Sequence, residues 1–310
     1  MYRYILKRLL LLIPVIIGAS LIIFCIISLA PGDVTTVKAG DASEESLSAM
    51  RKELGLDDPL LIQYGRYMLN LVKGDMGRSY YTNKSVFSEY FSKFPNTLQL
   101  AFWSMLLGVF IALPIGVISS IKQYSLLDNC GMLFALIGVS MPVFWEGLLL
   151  ILLFSLKLGW FPSGGSTEPL SLVLPALTAG THMAATVTRM TRSSMLEVVR
   201  QDYIYTARSK GLSEKIVILK HAFRNALIPI VTTTGITFGT SIGGALVTET
   251  VFSWPGVGRL VVESINRRDT PMIMGCVILT TICISFINLA VDILYAYIDP
   301  RIKAQYKGTR

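Results

Sequence analysis

This sequence is short of charge. Only 15% of its 310 residues are Asp, Glu, Lys or Arg, against 52% hydrophobic residues and a mean hydropathy of +0.57. Chains that fold in water carry about 25% charged residues, so an ordinary soluble domain is excluded and lipid is the expected surroundings. Histidine is almost missing: His182 and His221 are the whole supply, too far apart to suggest a metal site. The four cysteines, Cys25, Cys130, Cys276 and Cys283, lie in or at the edge of apolar runs with no Cys-x-x-Cys spacing. They read as small membrane-buried hydrophobes, without a disulfide framework or a metal cluster.

Catalytic signatures are missing too. No Gly-x-x-x-x-Gly-Lys-Ser/Thr loop is present, so the chain is not an ATPase. Gly256-Val257-Gly258 lacks the third glycine of a dinucleotide fingerprint, and neither His-Glu-x-x-His nor Gly-x-Ser-x-Gly occurs. No enzymatic role and no cofactor is expected. The formal charge of +8 sits between apolar runs, with no basic stripe interleaved with aromatics. Basic cytoplasmic loops of a membrane protein account for it better than nucleic acid does.

What the sequence has is long apolar runs. A helix needs roughly 20 apolar residues to cross a bilayer. Six stretches meet or approach that length: Leu9–Ala30, Leu98–Ile121, Asn129–Leu156, Leu170–Thr188, Asn225–Thr248 and Met272–Val291. The first resembles a signal peptide, since Arg3, Lys7 and Arg8 precede it. Its length, and Pro31 directly after the small-residue site, favour an uncleaved anchor. Orientation follows from basic residues near the span ends. Those before span one, the Arg189–Arg224 loop and Arg301, Lys303, Lys307 and Arg310 all fall on one side if both termini are cytoplasmic. Arg259, Arg267 and Arg268 fall outside in this scheme and run against it. The expected fold is all-α, with six transmembrane helices embedded in the lipid bilayer of a bacterial inner membrane.

Four regions follow: a tail and first helix (1–30), an extracytoplasmic insert (31–97), a five-helix core (98–296) and a cytoplasmic tail (297–310). In the insert, Ser43 is a candidate cap ahead of Leu47, Met50 and Leu54 at helical spacing. Pro59 opens a second helix with Leu61, Tyr64, Tyr67, Met68 and Leu71 on its apolar side, and Gly74-Asp75-Met76-Gly77 ends it. Amphipathic helices suit a cap on the outer mouth better than a simple tether.

The cytoplasmic loop, 189–224, is basic. Asp202 is positioned to cap one short helix, Gly211 to end it in a left-handed turn, and Ser213 to cap the next. Ile204, Leu212, Ile216, Leu219 and Phe223 are expected on one apolar side. Such a pattern suits either adsorption to the anionic inner leaflet or docking to a partner, and pattern alone leaves both open.

Longer motifs decide between them. Tyr205-Thr206-Ala207-Arg208-Ser209-Lys210-Gly211 resembles the Glu-Ala-Ala-x-x-x-Gly signature of permease subunits of bacterial ATP-binding-cassette importers. The stretch from Arg189-Met190-Thr191-Arg192-Ser193-Ser194 through Arg224-Asn225-Ala226-Leu227-Ile228-Pro229 resembles the peptide, opine and nickel branch, in its dipeptide and oligopeptide B-type subunit. Thr248-Glu249-Thr250-Val251-Phe252-Ser253-Trp254-Pro255-Gly256-Val257-Gly258-Arg259 and Asp299-Pro300-Arg301-Ile302 agree. Nearly the whole chain is covered. The general signature starts with Glu where this chain has Tyr205, and its later proline position is Arg224 here, the proline coming at Pro229. The peptide branch shares this variant, and no electrostatic contact of that Glu is carried over.

The resemblance implies a type I importer permease, one half of a translocation pathway for di- or oligopeptides. It further implies a homologous second permease in a heterodimer, two cytoplasmic ATPases and an extracytoplasmic substrate-binding protein. By likeness Tyr205, Thr206, Ala207, Gly211, Leu212 and Ser213 form the ATPase-coupling loop. The binding protein would dock on the first loop and on Val251–Pro271. A nickel or opine importer is the alternative within the class; a passive channel or membrane-embedded enzyme is a remote one, since neither needs a docking loop. Glu146 and His182 are candidate pathway residues, because charge or polarity inside a span is costly and usually has a purpose. Pairing with a neighbouring helix, or a shorter span that begins later, accounts for Glu146 equally well, and packing as a polar group between helices is favoured over a ligand role for His182. Gly239, Gly243 and Gly244 read as a close-packing face.

Overall fold

The computed structural model describes residues 2–38 and 43–298. The tail with its Asp299–Ile302 motif and terminal cations lies outside them. Among the described residues the chain is helical, with one isolated bridge between Arg78 and Ser85. The helices are α1 (Tyr2–Leu29), α2 (Val34–Lys38), α3 (Glu44–Leu54), α4 (Leu60–Val72), α5 (Val86–Ile121), α6 (Leu126–Ser140) and α7 (Val143–Leu150). They are followed by α8 (Val173–Val199), α9 (Asp202–Ser209), α10 (Glu214–Ile216), α11 (Arg224–Val251), α12 (Val257–Asn266) and α13 (Thr270–Ile298). A π-helical stretch, Ile151–Lys157, extends α7, and another, Val217–Phe223, joins α10 to α11 without a break.

Among the described residues five helices are long and apolar enough to cross a membrane. The expected third span, Asn129–Leu156, is not one straight helix. Its arms, Leu126–Ser140 and Val143–Lys157, meet at 106°, and they complete a set of six only if taken as one broken span. The cause is local. Pro142 bars the preceding residue from helical geometry, and Met141 accordingly sits at ψ 128. The fourth span reaches further than hydropathy drew it, through Val199, so Arg189 and Arg192 belong to a helix rather than to a loop.

The chain forms two compact units. One comprises residues 97–254 and the chain from Phe286 onward. In it α8 packs along α6, α7 and α11. Its contact with α5 is closer than ordinary side chains permit: a Cβ on Gly108 would sit 2.9 Å from the Gly180 carbonyl oxygen, and one on Gly180 3.0 Å from that of Ser104. This small-residue seam, typical of packing in lipid, escaped the sequence reading. One apolar cluster runs from Ala112 of α5 through Met183, Val187 and Met195 of α8 to Ile204, Ala207, Val217 and Ala222.

The other unit comprises residues 2–96 and 255–285. Val86, Tyr90, Val257, Met272, Cys276 and Leu279 form its core. Buried Asp269 accepts from Ser79 Oγ at 2.6 Å and from the Tyr80 amide at 3.2 Å. The expected insert helices are present. Ser43 caps α3 by accepting from the Ser46 amide, and α4 follows Pro59. Tyr64, Tyr67, Met68 and Leu71 are half-buried as the spacing suggests, whereas Leu61 is exposed. Tyr64 meets α1, its hydroxyl 3.0 Å from Ser20 Oγ and its ring against Phe24.

Candidate functional site

Two places in the 97–254 unit concentrate the sequence-marked residues. The first is the α9–α10 turn. α9 starts at Asp202, but the cap position is Gln201 and no side chain bonds the free amides. Asp202 is instead the first helical residue, where its charge faces the positive helix end. Gly211, at φ +77, makes the left-handed turn, a conformation costly for any residue with a Cβ. Ser213 occupies the next cap position with extended backbone and no side-chain bond. Arg208 closes the turn by donating to both Glu214 oxygens, at 2.7 and 3.4 Å. This hydrogen-bonded partner raises the guanidinium pKa further above its ordinary value.

The two sides of the turn differ from the expected single apolar face. Ile204, Ala207, Val217 and Ala222 face inward and join the cluster with α5 and α8. Leu212, Ile216 and Leu219 face out, with Leu219 52% exposed, and Phe223 is half-buried. The turn at Gly211 separates Ile204 from Leu212 and Ile216, and beyond Ile216 the π-helical geometry of Val217–Phe223 shifts which residues align. Of the expected coupling residues, Tyr205, Thr206, Gly211, Leu212 and Ser213 are exposed, while Ala207 is buried.

The second place surrounds the bend between α6 and α7. Adjacent residues of α8 hold its two arms. Thr181 Oγ1 donates to Glu146 of α7, and His182 Nδ1 lies 3.2 Å from the Gly138 carbonyl oxygen of α6. A carbonyl only accepts, so the proton is on Nδ1. Glu146 is buried, and its Oε2 has no hydrogen-bond partner in the structure. A cavity of about 480 Å³ opens beside the bend, walled by α5, α7, α8 and α11. His182 and Val143 line it; Glu146 does not. His182 is thus brought to the wall of a chamber, and Glu146 to the joint behind it.

Two buried acidic residues of this unit were not singled out from sequence. Asp128 accepts from Arg192 Nε and Nη2, each at 2.7 Å, and from the Tyr124 amide at 2.9 Å. Glu249 is fully buried and accepts from Thr97 Oγ1 at 2.6 Å. Both lie one residue beyond an assigned span boundary, where an acidic residue reads as solvated. The only available signal was that an acidic residue so near lipid needs a partner. Among the described residues no cluster of three or more His, Cys, Asp or Glu is placed to hold a metal.

Long lipid-length helices, an exposed turn rooted in their core and a chamber between them suit a membrane permease. Solved structures place the fold among importer permeases. The MetNI methionine ABC transporter, solved in inward-facing conformations, matches with a TM-score of 0.58 at 21% identity, covering 68% of this chain and 96% of that one. An amino acid ABC transporter solved with histidines matches with a TM-score of 0.55 at 15% identity, over 68% of this chain and 94% of that one.

The family model for the binding-protein-dependent transport system inner membrane component matches residues 112–304, and its N-terminal companion matches residues 1–101. This chain belongs to that family and is a permease subunit of an ABC importer, a multi-pass, non-enzymatic inner-membrane component that works with ATPase and binding-protein partners. Relatives of matching length include the dipeptide transport system permease protein DppB of Alkalihalophilus pseudofirmus, 41% identical over 98% of this chain and 100% of that protein. The glutathione transport system permease protein GsiC of Salmonella paratyphi A is 42% identical over 98% of this chain and 99% of that protein. The di/tripeptide transport system permease protein DppB of Pseudomonas aeruginosa is 41% identical over 98% and 100%.

Proposed function

We propose that this subunit forms half of the translocation pathway for di- and oligopeptides, paired with a second, homologous permease. The importer has two ATPases, and one of them seats on the α9–α10 turn of this subunit. The binding protein docks from outside, on the 31–97 insert and the 251–271 segment. Both termini are cytoplasmic in this arrangement, with the insert outside and the 98–296 core in the bilayer. The observation that carries the reading is the division of labour at the turn. Its inner side is continuous with the α5–α8 core, while Leu212, Ile216 and Leu219 present apolar surface outward beside Lys210, Lys215 and Lys220. An exposed apolar patch rimmed by charge is what a partner interface requires, and a turn rooted in the core transmits a push into the spans. Peptide as the substrate is supported by full-length relatives named for dipeptide, di/tripeptide and glutathione transport.

The test is uptake by the complete importer in proteoliposomes. ATP-dependent, binding-protein-dependent accumulation of labelled dipeptide and tripeptide is expected; accumulation of nickel without peptide would sink the substrate assignment. Orientation is read by an impermeant thiol reagent on cysteine-replaced protein. K210C should label only from the ATPase side and S48C only from the other.

A further inference from the structure

The chamber beside the α6–α7 bend has an unusual wall. Among the described residues it carries six hydroxyls and one imidazole but no Asp, Glu, Lys or Arg. Four of those hydroxyls already donate their only proton to carbonyls of their own helix. Ser104 donates to Leu100 at 2.8 Å, Thr237 to Thr233 at 2.7 Å, Thr240 to Thr237 at 3.0 Å and Ser241 to Phe238 at 2.8 Å. A carbonyl oxygen cannot donate, so each proton is fixed on that line, and the hydroxyl oxygen retains lone pairs alone for anything entering. His182 follows the same logic. With an Nδ1 proton directed at Gly138, Nε2 is the ring nitrogen left for a ligand, and it accepts whenever the ring is unprotonated.

The wall therefore accepts hydrogen bonds and offers few. Gly244 keeps it open, since a Cβ there would meet nothing within 4 Å. A carboxylate entering loses its water and finds little to replace it, which is costly in a poorly hydrated site. Ammonium and amide N–H groups find acceptors at several heights along α11. Each such bond is weak, so a ligand enters without being trapped.

We propose that this chamber is a donor-selective transit site. It binds the α-ammonium and amide N–H groups of the passing peptide and discriminates against added carboxylates. This rests on the peptide reading above and adds a selectivity belonging to the permease, separate from that of the binding protein.

The test uses the complete importer in proteoliposomes, with peptide supplied at matched binding-protein occupancy. Wild-type protein should take up Ala-Lys faster than Ala-Glu. T237V/T240V removes two acceptors while leaving the helix's backbone bonds in place, and should lower saturating peptide uptake about tenfold. It should also bring the Ala-Lys to Ala-Glu ratio toward one. T237S/T240S keeps both oxygens and should stay within about twofold of wild type. Unchanged uptake in the valine variant, an unchanged ratio, or serine failing like valine would each overturn the proposal. So would dissociation of the valine-variant complex in detergent, which assigns these hydroxyls to contact between permeases. If the wild-type importer moves no peptide, the substrate reading fails and takes this proposal with it; if it moves peptide and the variants do not differ, the proposal alone fails.

Discussion

Replacing Gly211 separates two ways in which a docking turn can matter: by its backbone shape and by the room it leaves for a partner. Gly211 sits at φ +77, and a Cβ built there meets nothing within 4 Å of this chain. Inside the subunit the penalty for alanine is therefore conformational, about 1–2 kcal/mol for placing a β-carbon residue in the left-handed region. Asparagine tolerates that region far better despite its larger side chain. If the turn's shape presents Leu212 to the ATPase, G211A shifts the turn toward conformers that dock poorly. The loss of affinity is about 5- to 30-fold, and G211N stays closer to wild type. If the ATPase instead packs against the bare glycine, size decides, and G211N is the worse variant. Co-purification of ATPase with membrane-extracted permease, titrated for affinity and paired with proteoliposome uptake, reads the order directly. Asparagine losing more than alanine would refute backbone shape as the reason for this glycine. Equal, wild-type behaviour of both variants would refute any role for the turn.

Other sites give sharper single readings. L212S and L219S remove apolar area from an exposed patch, so thermal stability of the isolated subunit should hold while ATPase affinity falls about tenfold or more, the scale of an interface anchor. Buried Asp128 forms a bidentate pair with half-buried Arg192. D128N should destabilise by about 3–5 kcal/mol because an uncompensated guanidinium remains, seen as a lowered unfolding midpoint in detergent, and a D128L/R192L double variant should recover part of the loss. G116V would drive a Cβ to 2.5 Å from Thr191 Cβ and 3.0 Å from the Thr188 carbonyl oxygen, forcing α5 from α8 and lowering the same midpoint, whereas G244A should fold like wild type because its Cβ meets open space. T181V takes the donor from Glu146 and should cost about 1–3 kcal/mol; an unchanged midpoint would mean that the carboxyl finds another donor.

What the sequence made legible was set locally. The left-handed turn at Gly211, the cap at Ser43, the helix after Pro59 and five of the long spans each follow from a few neighbouring residues whose geometry has little choice. What it did not disclose depends on partners far along the chain. Hydropathy sees the α6–α7 stretch as one apolar run, because it averages over Met141-Pro142, where the backbone turns by 106°. The apolar spacing put Leu212, Ile216 and Leu219 on one side with Ile204, because spacing along the chain does not show how the helices on either side of Gly211 turn relative to each other.

Charge counting failed in a more instructive way. Arg192 was counted among solvated loop cations, yet it is tied to Asp128, 64 residues earlier, on a helix surface. Glu249 and Thr97 are 152 residues apart and equally invisible as a pair. The topology rule tolerates this error, since a paired arginine near a span end still marks the same side of the membrane. The chamber shows the opposite limit. Its four helix-bonded hydroxyls, Ser104 on α5 and three on α11, look like unremarkable polar residues in apolar helices. Only their gathering on one cavity wall, each proton turned back to its own backbone, makes them a surface with a chemical preference. In a subunit that does no bond-making, selectivity of that kind is the chemistry a wall can exert. It acts on a substrate that passes, so it belongs in weak acceptors spread along a path rather than in one strong site.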